Sequence, residues 1–398
     1  MSAFIPYGAY WSTPFARWQG SLSHLHAMEF AAHVAKGALA ERDIPLDTLD
    51  FAAYGLTVMQ NRSFYGLPWV TAMMGVPQLT GPTLSQACAT GARLLATAAG
   101  EIALGAAQTA LVLSGDRTSN GPHVYYPAPT GAGGTGASED VVLDSFNKDP
   151  FARCAMVDTA ENVARREGIT TGEQHELVLA RHAQYEDALA DGRAFQRRYM
   201  AERFEVPDGR FRKTVAMMEG DEGVYPSSPE KMAGLKPVRD GGTVTFAAQT
   251  HPADGNAGMV VTGSRDKAAE LSRDKAVTVE IVAFGMGRED VGFMPAAPIR
   301  ATSHAFRQSG LTITDMTAIK SHNPFAVNDI AFARAFGIDW KSMNNYGCSL
   351  IWGHPQGPTA LRAIIELIEE LVARGGGYGL FQGCAAGDSA MAVILKVS

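Results

Sequence analysis

Two short stretches far apart in the chain carry the residue types of nucleophilic catalysis. The first, Ser85-Gln86-Ala87-Cys88-Ala89-Thr90-Gly91-Ala92-Arg93, sets a cysteine after the mostly apolar segment Thr71 to Leu79. Leu94, Leu95, Ala98, Ile102 and Leu104 follow it at roughly helical spacing. Cys88 is therefore expected at a helix N-terminus, where unpaired NH groups and the positive dipole end favour thiolate over thiol. Taken alone, an isolated cysteine reads more readily as a small buried core residue. The second stretch is Gly353-His354-Pro355-Gln356-Gly357, followed by an amphipathic run from Thr359 to Ala373, the glycines 375 to 377, and Gly383-Cys384-Ala385-Ala386-Gly387-Asp388.

The two stretches share an order: Cys-x-x-Gly, helix, glycine, apolar strand and Gly-Asp, against His-x-x-Gly, helix, glycines, apolar strand and Gly-Asp. Thr109-Ala110-Leu111-Val112-Leu113-Ser114-Gly115-Asp116 aligns loosely with Gly379-Leu380-Phe381-Gln382-Gly383-Cys384. If the halves are copies, Cys88 and His354 lie on equivalent helix N-termini facing each other across a pseudo-twofold axis. A cysteine and a histidine so placed form a nucleophile and its base.

The elements that must hold these residues follow in chain order. Residues 1 to about 20 read as a strand and turn, His24 to Glu41 as a helix, and Phe51 to Met59 as a strand, with strand and helix alternating through Gly115. Ser119 to Gly136, rich in Gly, Pro, Ser and Thr, reads as loop. Asp158 to Arg166 reads as a helix, and Thr171-x-x-Gln174 as the capping box of another. Gly220-Asp221-Glu222 is expected on the surface. Sheet-like alternation returns at Thr243 to Phe246, with a helix near Ala257; Val277 to Phe284 opens the second half, and Met316 to Ile319 leads into Ser321-His322-Asn323-Pro324-Phe325-Ala326 and the helix Phe325 to Phe336.

Composition narrows the class. With 398 residues, 46% hydrophobic and 19% charged, the chain can bury more than one core. A formal net charge of -7 argues against a nucleic-acid binder. The start, Met1-Ser2-Ala3-Phe4-Ile5-Pro6, lacks the basic and apolar regions of a signal peptide, and no uncharged apolar run approaches the ~20 residues of a membrane span. Cys88, Cys154, Cys348 and Cys384 show neither metal-ligand spacing nor a disulfide framework, so a reducing, cytoplasmic setting and no metal are expected.

Nearly end to end, the chain resembles the thiolases. The resemblance runs through Thr13-Pro14-Phe15, the Cys88 stretch, Asp158-Thr159-Ala160-Glu161-Asn162-Val163-Ala164, Leu235-Lys236-Pro237, Asp254-Gly255, Gly353-His354-Pro355 and Gly383-Cys384. It implies a five-layer α-β-α-β-α fold of two duplicated α/β halves with an insert: residues 1–120 and 242–272, residues 273–398, and a loop-and-helix insert at 121–241. It also implies thiolytic cleavage of a 3-oxoacyl-CoA, or the reverse Claisen condensation, through an acyl-Cys88 intermediate. Coenzyme A is then a substrate and no cofactor is permanently bound. A homodimer or dimer of dimers is expected.

The family's pattern gives His354 the role of base for Cys88, Cys384 that of acid and base at the substrate carbon, and the backbone NH groups of Cys88 and Ala386 that of an oxyanion site. Position 322 is the main departure: the commonest thiolases have the Asn of Asn-Glu-Ala-Phe where this chain has His322-Asn323-Pro324-Phe325. His322 is expected to supply another oxyanion donor. Thr250, His251, Phe325 and Trp352 are expected around the substrate, and Tyr346 and Trp352 to reshape the pocket near His354. This form resembles thiolases that act with a small zinc-ribbon/OB-fold partner subunit, such as benzoylsuccinyl-CoA thiolase. Two other readings remain open: a decarboxylating ketoacyl synthase-like condensing enzyme, which would not need Cys384, and a non-catalytic acyl-CoA-binding or scaffold protein of the same fold.

Overall fold

The structure, a computed structural model, describes residues 3–398. One order of elements occurs twice. Helix Ala27–Glu41, strand Phe51–Gly55, helix Thr90–Ala103, strand Thr109–Arg117 and strand Ala253–Thr262 make the first set. Helix Ala297–Ser309, strand Met316–His322, helix Gly357–Ala373, strand Gly377–Ala385 and strand Ser389–Val397 make the second. In each set the first two strands are parallel and the third runs antiparallel to the second. Strand Ala3–Phe4 pairs with both Ala253–Thr262 and Val279–Arg288, which links the two halves into one hydrogen-bonded sheet of 11 strands.

Alternation along the strands produces the layers. Val112, Met259, Val393 and Leu395 face inward onto Leu95, Ala98, Leu361, Ile364 and Ile368 of the two central helices. Leu111, Leu113 and Val260 face outward onto Met28, Ala31 and Ala35, and Leu380, Ala392 and Ile394 face outward onto Ala301 and Ala305. The result is helix, sheet, paired helices, sheet, helix. No helix among the described residues is long and apolar enough to cross a membrane.

The central helices meet at their N-termini, and glycine makes the approach possible. A Cβ on Gly91 would lie 2.7 Å from Leu361 N and 2.9 Å from Gly357 O, and one on Gly357 would lie 2.4 Å from Ser114 Oγ. Cys88 and His354, each just upstream of one of these helices, are thereby brought together.

Four local expectations are overturned. Residues around Ala257 form a strand because Ala253–Thr262 lies between two partners, Thr109–Arg117 on one side and Tyr10–Ser12 on the other, and is buried throughout. The 119–136 loop contains a strand, His123–Tyr126, paired with Ala137–Asp140. The capping box is Thr170 with Glu173, since Gln174 points inward to Thr243. Asp221 is buried: its carboxylate receives Arg362 Nη1 at 2.6 Å and Nη2 at 2.7 Å.

Asp221 is inside because the helix Gly357–Ala373 has no solvent face. Its polar side chains are buried with it and are paired instead of hydrated. Arg362 Nε donates to Glu366 Oε1 at 3.1 Å, Lys320 Nζ to Glu366 Oε2 at 3.2 Å, and Tyr10 OH to Glu369 Oε1 at 2.6 Å. Removing the cation leaves two buried carboxylates short of a partner. Arg362→Met is expected to cost about 3–5 kcal/mol in denaturant unfolding; a loss below about 1 kcal/mol would show that this network contributes little to stability.

Candidate active site

Cys88 sits in the turn before helix Thr90–Ala103. Ala87 has φ 44°, a left-handed conformation that reverses the chain. The turn is tied by Gln86 N to Thr90 Oγ1 at 2.8 Å and by Thr90 Oγ1 to Ala87 O at 2.7 Å. His354 enters from the opposite helix, its backbone clamped to strand Ala253–Thr262 by His354 N to His251 O at 2.9 Å and Ala253 N to His354 O at 3.3 Å. His322 closes strand Met316–His322, and Cys384 lies near the end of the adjacent strand Gly377–Ala385.

These four residues converge. A ring nitrogen of His322, a ring nitrogen of His354 and Cys88 Sγ lie within 4.8 Å of one another. The two imidazoles stack with centroids 4.1 Å apart and planes at 29°. Each is held by a hydroxyl at Nδ1: Ser349 Oγ at 2.9 Å for His322 and Thr359 Oγ1 at 2.6 Å for His354. Both Nε2 atoms are buried without a partner. Cys384 Sγ accepts from Asn328 Nδ2 at 3.3 Å and is close enough to Cys88 for that thiol to raise the cost of ionising Cys384. The backbone NH groups of Ala386 and of Cys88 itself are directed at the Cys88 sulfur.

Cysteine and two histidines are also a metal donor set. The stacked rings count against that use. An ion bound at about 2.0–2.1 Å to both nitrogens would lie well out of the plane of at least one imidazole.

Burial sets the protonation states. It pushes the Cys88 thiol up to about 12, against the lowering from the Ala386 and Cys88 NH groups, so the thiolate expected from the helix N-terminus is not the resting form. Burial also takes His354 down to about 3 and His322 well below its ordinary value, with the neighbouring His354 depressing His322 further. Cys384 is raised, first by burial and then by Cys88. A neutral thiol thus faces two neutral imidazoles, and neither Cys88 nor His354 ionises alone near neutral pH. Charge separation between them becomes accessible only as a pair.

The other expected site residues divide. Thr250 donates through Oγ1 to Ser349 O at 2.5 Å and through its NH to Pro324 O at 2.7 Å, bracing the residues around His322. His251 is beside His354, with its Nε2 buried and unpartnered. Phe325 is buried in the core cluster that contains Cys384. Trp352 is a packing element instead of a pocket wall: it is fully buried, edge-on to Phe15 at 5.3 Å and under the Arg362 guanidinium at 4.4 Å. Tyr346 stacks on Phe195 at 3.9 Å.

Several supporting residues carried no local signal. Asp329 receives Asn323 Nδ2 at 2.7 Å, Asn344 Nδ2 at 3.0 Å, Ser321 Oγ at 2.6 Å and Arg181 Nη2 at 2.9 Å, which fixes the end of the strand bearing His322. Ser349 ties into the same network through Asn323 Oδ1 at 3.1 Å. The one available clue was the Asn323 side of the His-Asn-Pro-Phe row.

The thiolase N-terminal domain family matches residues 9–265 and the thiolase C-terminal domain family matches residues 275–397. The chain belongs to the thiolase family. It is 27% identical over 390 residues to a beta-ketothiolase of Cupriavidus necator, covering 96% of each chain. The crystal structure of human mitochondrial 3-ketoacyl-CoA thiolase superposes with a TM-score of 0.89 at 25% identity, covering 100% of this chain and 99% of that one. The same human enzyme in complex with CoA superposes with a TM-score of 0.88, also at 25% identity, covering 100% of this chain and 98% of that one. As a thiolase the protein is an acyltransferase that uses coenzyme A as a substrate.

For this thiolase the neutral, partly buried Cys88 thiol has a direct signature. In enzyme without substrate, alkylation of Cys88 by iodoacetamide, followed by intact mass, is expected to rise about tenfold per pH unit from about pH 6 to about pH 10 without a plateau. A plateau below about pH 8 would show that Cys88 is already a thiolate at rest.

Proposed function

We propose that the thiolase cleaves 3-oxoacyl-CoA, or forms it by the reverse Claisen condensation, through an acyl-Cys88 intermediate. The observation that carries this reading is the meeting of Cys88 Sγ with unpartnered buried nitrogens of two neutral imidazoles, with a second thiol alongside. In the degradative direction His354 Nε2 takes the Cys88 proton as the sulfur attacks the 3-oxo carbon. The resulting oxyanion is held by the NH groups of Cys88 and Ala386. The C2–C3 bond then breaks, its electron pair goes to the departing enolate, and the Cys384 thiol protonates that carbon. The enolate's thioester oxygen is held by His322 and His354. In the second half Cys384 thiolate takes the proton of coenzyme A, the CoA sulfur attacks the acyl-Cys88 carbonyl, and Cys88 leaves and recovers its proton from His354.

The hydroxyl partners suit these roles. Ser349 can accept from His322 Nδ1–H or, by rotating its proton from Asn323 Oδ1, donate to Nδ1 and leave Nε2–H as a donor. Thr359 Oγ1, accepting from His354 Nδ1–H, leaves Nε2 as a lone pair for the Cys88 proton.

Further features support the finer expectations. Strand Thr83–Leu84 ends the first half of the sheet with one edge unpaired among the described residues, which supports a homodimer or a dimer of dimers through that edge. All four cysteines are free, which supports a reducing compartment and a cytoplasmic location. The His322-Asn323-Pro324-Phe325 row supports the subtype that works with a small zinc-ribbon/OB-fold subunit, and makes aromatic acyl groups the first to try.

Mixing the protein with short, long, branched and aromatic 3-oxoacyl-CoA esters is expected to give an acyl adduct on Cys88 by intact mass, and added coenzyme A is expected to clear it. Absence of an adduct with every ester, with or without the small partner subunit, would favour the binding-only alternative. Cys384→Ala is expected to lower thiolytic kcat by about 10²–10⁴-fold. Near wild-type turnover in that variant would move the assignment to the decarboxylating condensing enzyme.

A further inference from the structure

Gln356 occupies the turn between His354 and helix Gly357–Ala373 in a conformation that a side chain makes costly, φ 63° and ψ -106°. The strain is held in place from the other half of the molecule. Gly357 N donates to Asp116 Oδ2 at 3.0 Å, and the same carboxylate accepts from Thr57 N at 2.8 Å, Val58 N at 3.1 Å and Thr57 Oγ1 at 3.0 Å. Glycine would satisfy this turn without strain. What the glutamine adds is an amide at the nucleophile: Cys88 Sγ donates to Gln356 Oε1 at 3.3 Å, and the amide also contacts His354. Gln356 is 7% exposed.

The amide carbonyl holds the thiol proton away from His354, so something must change when the proton leaves. A thiolate is an acceptor, and a carbonyl oxygen facing it would repel it. The glutamine amide carries both an acceptor and a donor on one soft torsion. Taking Cys88 as the nucleophile, as in the thiolase reading above, we propose that Gln356 is a catalytic residue whose amide partners the Cys88 sulfur in both states. Its carbonyl accepts the S–H at rest; after rotation about the last side-chain bond, its NH₂ donates to the sulfur once His354 has taken the proton.

Glutamate can play only the first part, and leucine neither. The measurement is the pH dependence of Cys88 alkylation by iodoacetamide in substrate-free enzyme, read by intact mass, beside kcat and KM. The ionisable groups around the sulfur, His322, His354, Cys384 and Asp116, are unchanged in every variant. Gln356→Glu is expected to move the alkylation profile upward by about one pH unit or more and to lower kcat by roughly tenfold or more with a smaller change in KM. Gln356→Leu is expected to move the profile less than Glu does and to lower kcat to an intermediate value. Gln356→Gly, which deletes the amide and relieves the backbone together, is expected to melt no lower than the wild type and to match Leu in alkylation. If the Glu profile coincides with that of the wild type while Cys88 is still acylated by 3-oxoacyl-CoA, the proposal fails and the thiolase reading stands. If the Glu profile shifts but no ester acylates Cys88, the sulfur–amide contact stands and the thiolase reading fails.

Discussion

Everything at this site depends on the contact between two helix N-termini. Gly91 lets the central helices approach until backbone meets backbone, Gly357 lets the second of them close against Ser114 and Asp116, and the loops just upstream then have only one place to put Cys88 and His354. Neither helix reaches that position through its own sequence. Each is pressed there by an inward-facing apolar layer from both sheet halves, so the dominant burial in the molecule and the catalytic geometry are one constraint.

That burial has an electrostatic price at the site and on the helix behind it. Along Gly357–Ala373 it is offset by pairing: Arg362 lies between Asp221 and Glu366, Lys320 and Tyr199 also reach Glu366, and Tyr7 and Tyr10 reach Glu369. At the front of the same helix it is left in place. The thiol and the imidazoles are all driven to their neutral forms, and two ring nitrogens stay without a partner. An unpaired polar atom in a dry site is costly to the resting protein and available to a substrate oxygen. The site is thus organised around the charge that develops during reaction, with hydroxyls and the Asp329 network fixing ring orientation from behind.

Much of the reactive set was legible because it lies in short local patterns. His354 and Cys384 sit beside a glycine or proline, and Cys88 and His322 within three residues of one, each near the boundary of a strand or helix, where residue type and neighbours identify them without knowledge of the fold. Long apolar alternation likewise marked the strand and helix order of both halves. The largest errors fell where a partner distant in sequence decides the outcome. Asp221 reads as a surface acid until Arg362, 141 positions later, is seen to be buried against it. Ala257 reads as helical until strands on both sides claim its backbone.

By itself, then, the sequence determined the family, the repeated α/β order and the identity of the reactive side chains, since these are carried by local spacing and hydrophobic period. The tertiary structure alone decided their state and company. It placed Trp352 in packing instead of at the pocket, kept Cys88 a thiol despite its helix N-terminus, and set the Gln356 amide on the sulfur. The physical reason is that desolvation and hydrogen-bond partnership are sums over neighbours from every element packed around an atom, and no window of sequence contains them.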